Sequence, residues 1–259
     1  MKIRFAIIQQ FRRLGGKMLK GEYIFKVRSY ECGADGFASL PSICNYLQEA
    51  ASLHAEELGF SKSNFDAQGE NISWVLTRLA IKMKRYPAWE EPITVVTFPR
   101  GGRKIVAWRD FEIKSSDGET IGLATSEWML IDLATRKIVS IPESVLNACE
   151  FGLESVLGAE PFTARLKFPA DAPVEASGPY KAQYSHIDLN GHVNNVHYVE
   201  WLLEPLKAGR PSSIEFVFRS ETLAGDEIMV ETARKDEPEF YHRVFSADGK
   251  DHVVAYSRS

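Results

Sequence analysis

YKAQYSHIDLNGHVNNVHYVEWLLE, running from Tyr180 to Glu204, lies without a gap over FKVRSYECGADGFASLPSICNYLQE, from Phe25 to Glu49. Lys26 and Lys181, Gly36 and Gly191, Leu47 and Leu202, and Glu49 and Glu204 coincide at one constant offset. Later stretches correspond with shifted offsets: EEPITVVT with GDEIMVET, and SSDGETIGLAT with SADGKDHVVAY. We read this self-similarity as an internal duplication. Each copy is expected to be a strand, a long apolar helix, and then a strongly curved antiparallel sheet that closes around the helix, an α+β architecture.

The first copy shows how its elements are specified. Tyr23 to Tyr30 alternates like a strand, and Ser39-Leu40-Pro41 then offers a helix N-cap with proline in the first turn. Leu40, Ile43, Cys44, Leu47, Ala51, His54 and Leu58 recur at three- and four-residue steps, and Gly59 is placed to end the helix. Strand signals follow over Ile72 to Arg85, Ile93 to Phe98, Lys104 to Lys114 and Thr120 to Ile131. Turn signals separate them at Tyr86-Pro87, Gly101-Gly102 and Ser116-Asp117-Gly118. The stretch from Ile141 to Val174, with four prolines, reads as a connection. The expected organisation is an N-terminal extension over 1–20 with no assigned role, a first module over 21–140, a connecting segment over 141–174 and a second module over 175–259. Met18 offers an alternative start to Met1.

Composition narrows the class of function. With 259 residues, 44% hydrophobic and 25% charged, the chain is long enough for two small modules with substantial cores. A net charge of -4 and a pI near 5.9 supply no general attraction to nucleic acid or an anionic membrane. The longest apolar run near the N-terminus, Phe5 to Ile8, is too short for a secretory signal, and nothing else approaches a membrane span. Cys32, Cys44 and Cys149 are odd in number and far apart, which fits a reducing, cytoplasmic compartment and neither a disulfide framework nor a zinc site.

Chemistry is expected where the two copies differ. The loop before the first helix reads ECGADGFASL, whereas its counterpart reads HIDLNGHVNN and packs His186, Asp188, Asn190, His192, Asn194 and Asn195 into ten residues. One reading is purely structural: Asp-x-Asn-Gly makes a good Asx turn, and Asn194 or Asn195 a good cap for the helix carrying Val199, Leu202, Leu203 and Leu206. The other is a catalytic loop that brings a carboxylate, an amide and an imidazole to a helix start, where backbone N–H groups can face a developing oxyanion.

Several spaced stretches then carry a family resemblance: VRSYECGADGFASLPSICNYLQEAA, WVLTRLAIKMKRYPAW, RDFEI and IPESV in the first copy, DLNGHVNNVHYVEW and FRSETLAGDE in the second. From about Tyr23 onward the chain resembles the acyl-acyl carrier protein (acyl-ACP) thioesterases of plants and bacteria. The resemblance implies a tandem double hot-dog fold and hydrolysis of a fatty acyl-ACP to free fatty acid and carrier protein, which ends chain elongation. It implies that the first module shapes the acyl pocket and the second supplies the chemistry, with no metal or cofactor. The partner it implies is an acyl carrier protein bearing its acyl chain on phosphopantetheine.

The family's aspartate, asparagine and histidine fall on Asp188, Asn190 and His192, and its glutamate on Glu221. The cysteine that commonly follows that glutamate is replaced by Thr222, so a thiol nucleophile cannot act here. Glu221 or His192 is expected to polarise water, Asp188 to hold charge or attack, and Asn190 to orient its neighbours or donate to the carbonyl oxygen. Rival readings are an acyl-CoA thioesterase, a hot-dog hydroxyacyl dehydratase and a non-catalytic acyl-binding module. Hot-dog units associate in twos, so fusion leads us to expect a monomer or a weak homodimer. His54 reads as a packed histidine, and Trp74, Trp89, Trp108 and Trp128 as core, edge or tunnel residues. Lys82, Lys84, Arg85, Arg100, Arg103 and Lys104 are a candidate carrier-protein patch.

Overall fold

The structure, a computed structural model, describes residues 12–14, 17–147, 154–204, 210–236 and 238–259. Cys149, Leu206 and the stretch before residue 12 lie outside the described residues.

The first helix follows from its sequence. α1 runs over Leu40–Leu58; Ser39 caps it by accepting from Ser42 N, and Gly59 closes it in the left-handed region at φ 81°. Its buried stripe includes Leu40, Ile43, Cys44, Leu47, Ala51 and His54. A short α2 follows at Lys62–Ala67. The strands of this half are β1 (Arg12–Leu14), β2 (Lys17–Lys26), β3 (Ile72–Met83), β4 (Pro92–Arg103), β5 (Val106–Ser115), β6 (Thr120–Asp132) and β7 (Ile138–Val139). After α3 (Glu143–Asn147), the second half adds β8 (Val174–Lys181), α4 (Asn195–Leu203), β9 (Ser213–Phe218), β10 (Glu227–Asp236), β11 (Glu239–Ser246) and β12 (Asp251–Arg258).

The strands form one antiparallel sheet in the order β1-β2-β4-β5-β6-β3-β9-β12-β11-β10-β8, with β7 on β6. Within it, β2-β4-β5-β6-β3 and β8-β10-β11-β12-β9 are the same arrangement, met from opposite ends. They join where β3 pairs with β9, from Arg78 opposite Val217 to Lys82 opposite Ser213. Helices α1 and α4 pack against each other. One hydrophobic core unites Leu47 of α1 and Leu202 of α4 with Ile81, Phe111, Phe216 and Val253 of the sheet. Burying each such side chain is worth about 1.5–3 kcal/mol. This is a double hot-dog: two helices wrapped by one continuous, duplicated sheet.

Two details differ from expectation. The first long strand begins at Lys17, inside the segment left without a role, and ends at Lys26 because Ser29–Glu31 form a 3-10 turn. Gly101-Gly102 is not a turn: it lies inside β4, where the register shifts between Pro99 and Gly101 and Gly101 takes φ 146°. The glycine absorbs a β-bulge, and the turn comes after Arg103. The connecting segment is held to both half-sheets by buried carboxylates. Asp110, fully buried, accepts from Val156 N at 2.9 Å, and Glu215 accepts from Thr163 N at 3.1 Å and Thr163 Oγ1 at 2.8 Å. One carboxylate from each half-sheet therefore pins the crossing strap.

Candidate active site

The two loops that precede the helices share a backbone. In the first copy the 3-10 turn Ser29–Glu31 leads to a bridge between Cys32 and Ala38, then to the Ser39 cap. In the second, at the same offset as in the sequence repeat, Tyr184–His186 leads to a bridge between Ile187 and Val193, then to the Asn194 cap. Gly36 and Gly191 take φ 80° and 82°. The loops differ in what they display. Where the second copy carries Asp188, Asn190 and His192, the first carries Gly33, Asp35 and Phe37.

Asp188 receives the Asn190 backbone N–H on Oδ1 at 2.8 Å and Asn190 Nδ2 on Oδ2 at 3.4 Å. Its own N–H donates to His192 O at 2.9 Å, which closes the turn. His192 Nε2 lies 3.1 Å from Glu221 Oε2, and Arg136 Nη2 donates to Glu221 Oε1. The four residues expected from the sequence thus form two touching pairs, Asp188 with Asn190 and His192 with Glu221, on the wall of one cavity of about 560 Å³. Asn194, one of the two cap candidates, caps α4: its Oδ1 accepts the Val196 N–H at 3.0 Å, which occupies one donor of the helix start. Arg136, on the same wall, was not foreseen: 85 positions separate it from Glu221, and no local pattern reports such a contact.

A second cavity of about 440 Å³ adjoins the first. Both are lined by Gln48, Ser73, Trp74, Trp128 and Asn190. Ala51, Ala55, Leu58, Phe60, Ala107 and Val145 give the second an apolar wall drawn from the first half of the chain. Polar chemistry and apolar space therefore meet at Asn190. Of the four tryptophans singled out, Trp74, Trp108 and Trp128 line this space, whereas Trp89 is 57% exposed.

Thr222 is fully buried, and its Oγ1 lies 3.1 Å from His252 Nδ1, with Ser220 Oγ 3.0 Å from the same nitrogen. His252 thereby anchors the backbone on both sides of Glu221, and burial holds its pKa below the usual imidazole value. In the first copy the place of Thr222 is taken by Pro87, whose carbonyl accepts from Ala38 N as that of Thr222 accepts from Val193 N. Tyr86 then stands where Glu221 stands, with the Arg210 guanidinium 5.9 Å from its ring and 2.8 Å from Asp35 Oδ1. Aromatic and ion-pair contacts stand where the second copy has the His192–Glu221 contact.

His54 is fully buried with Nδ1 2.9 Å from Arg109 Nη1, and burial, aided by that guanidinium, pushes its pKa down to about 3. It is a neutral, packed residue. The basic residues considered as a patch separate: Lys82 is level with Val96 across the sheet, whereas Arg103 lies seven residues further along β4, at its end. Arg85 is paired with Glu91, and Arg100 and Arg103 lie over Trp108. They do not form one surface.

Comparison with known proteins agrees with this architecture. Residues 19–149 match the acyl-ACP thioesterase N-terminal domain and residues 171–258 the acyl-ACP thioesterase C-terminal domain. A palmitoyl-acyl carrier protein thioesterase, chloroplastic, of Gossypium hirsutum is 34% identical over 70% of this chain and 45% of its own length. An oleoyl-acyl carrier protein thioesterase, chloroplastic, of Coriandrum sativum is 31% identical over 78% of this chain and 57% of its own. The chain spans about half the length of the curated relatives it matches. The crystal structure of an acyl-ACP thioesterase from Bacteroides thetaiotaomicron superimposes with a TM-score of 0.80 at 26% identity, covering 92% of this chain and 97% of that one. With both domains matched in order and the duplicated fold in place, the chain belongs to the acyl-ACP thioesterase family.

Proposed function

We propose that the protein hydrolyses the thioester of a fatty acyl chain carried on acyl carrier protein. The observation that carries this reading is the His192–Glu221 contact of 3.1 Å, set on a cavity that runs into apolar space from the other half of the chain. The apolar space takes the acyl chain and leaves the thioester beside the pair. Of His192 and Glu221, one accepts a proton from the attacking water and passes it to the departing thiolate sulfur, while the other stabilises the charge that develops. Asp188, tied to Asn190 through both oxygens, holds the amide in place to donate to the carbonyl oxygen as it becomes an oxyanion. Burial removes the Thr222 hydroxyl as nucleophile, and of the two that remain, water and the Asp188 carboxylate, our reading takes water, since both Asp188 oxygens are engaged by Asn190.

The partner is an acyl carrier protein, and the relatives named for palmitoyl- and oleoyl-acyl carrier protein support that class. Pairing of the two half-sheets within one chain supports a monomer or weak homodimer. A reducing compartment, proposed as the cytoplasm, is supported by Cys32 and Cys44 both being free; burial pushes the Cys44 thiol up to about 12.

Fatty acid release should be measured from a panel of acyl-ACPs of varied chain length, with the matching coenzyme A esters in parallel. We expect preferential hydrolysis of the carrier-protein esters and a loss of roughly 10²–10⁴-fold in kcat for His192→Ala, the range of a lost acid–base group. Equal or faster turnover of the coenzyme A esters reassigns the substrate, and near-normal turnover by His192→Ala removes the mechanism.

A further inference from the structure

Arg136 occupies the turn between β6 and β7 with φ 59°, in the left-handed region where a residue bearing a side chain is disfavoured and glycine is usual. The turn does not need the side chain. Asp132 Oδ1 accepts from Thr135 N at 2.6 Å and Thr135 Oγ1 at 2.8 Å, and Arg136 contributes only its backbone N–H, to Asp132 O at 2.8 Å. Its guanidinium leaves the turn, crosses to the second half of the chain and donates to Glu221 Oε1 on the cavity wall.

Glu221 requires such a partner. Its backbone is fixed on either side through Ser220, Thr222 and His252, but its side chain is 41% exposed and carries three rotatable bonds. A donor on one carboxylate oxygen selects the rotamer that turns the other oxygen to His192. We propose that Arg136 is a positioning residue that aims Glu221 at His192, so that the active site is assembled from both modules. The inference rests on the acid–base reading of that pair given above. An arginine at φ 59°, where the backbone favours glycine, fits a side chain that serves the carboxylate it reaches.

The test is steady-state hydrolysis of whichever acyl-ACP the wild type turns over fastest, together with thermal melts. The variants are Arg136→Gly, Arg136→Lys, Glu221→Gln and the Arg136→Gly/Glu221→Gln double. We expect Arg136→Gly to lower kcat by about 10-fold or more with KM within about twofold, the signature of a group acting on the reacting state. Its Tm should be unchanged or higher by a few degrees, since glycine relieves the backbone. Lysine should recover part of kcat, and in the Glu221→Gln background the change to glycine should cost less than about twofold. A kcat within about twofold of wild type overturns the proposal. So does a rise in KM at constant kcat, which places the guanidinium on substrate, or a fall in Tm that tracks the lost activity. An inactive wild type sinks the thioesterase reading itself, whereas an active wild type with an unaffected Arg136→Gly sinks only this inference.

Discussion

Thr222 shows how far a single side chain can be read. The sequence shows a hydroxyl following Glu221, but only the fold reveals that it is fully buried against His252. A cysteine placed there is equally enclosed, and a thiol without access to solvent or a cationic neighbour is inert. We therefore expect Thr222→Cys to add no thiol that reacts with Ellman's reagent in the native protein, and to keep kcat within about threefold of wild type. A new fast-reacting thiol would show that this segment opens to the cavity. Asp188, Asn190 and His192 were legible because three polar residues broke a repeat. Glu221 was legible only through family likeness, since an isolated glutamate at a strand end carries no pattern. Arg136 was illegible, its meaning lying in a partner 85 positions away.

Among the elements, α1 was the most legible, because cap, stripe and stop all lie within its own residues. α2 and α3, six and five residues long, are too short for periodicity to register. The bulge in β4 was misread as a turn because Gly-Gly marks either, and only the partner strand decides. The strap between the modules is an element whose stability rests on buried polar contacts. Asp110 accepts from Thr125 Oγ1 at 2.5 Å, Val156 N at 2.9 Å and Arg100 Nε at 3.3 Å. Removing it strands those donors, and breaking a buried pair from one side costs about 3–5 kcal/mol. Asp110→Ala should lower the unfolding free energy by about that amount in urea titrations, with Asp110→Asn intermediate; a loss below about 1 kcal/mol would mean the strap is held by other contacts.

At the scale of the whole molecule, buried histidines make stability depend on pH, His54 and His242 most strongly and His252 in the same direction. Burial pushes His54 down to about 3 and His242 down to about 4, both well under the ordinary value of 6.5. In the unfolded chain each binds a proton below pH 6.5, while in the fold each stays neutral to lower pH. The unfolded state then holds more protons, so stability rises with pH through this window and is lost on acidification from about 6.5. We expect the unfolding free energy to fall between pH 7 and pH 5 by on the order of 1–2 kcal/mol per histidine. A flat profile would show that both are protonated inside the fold. The duplicated sheet order, legible in outline from the repeat, has a further bearing on the history open to this chain. Two loops have one backbone and only one of them carries Asp188, Asn190 and His192, so the proposed site is present in one copy of the repeat where two identical units would hold a pair. On the proposed function, each chain should release one acyl group per encounter, and the first loop should tolerate changes that the second does not. Random mutagenesis under selection for turnover should accept substitutions at Gly33 and Phe37 and reject them at Asp188 and His192, so that one loop backbone would show two unequal tolerances of change.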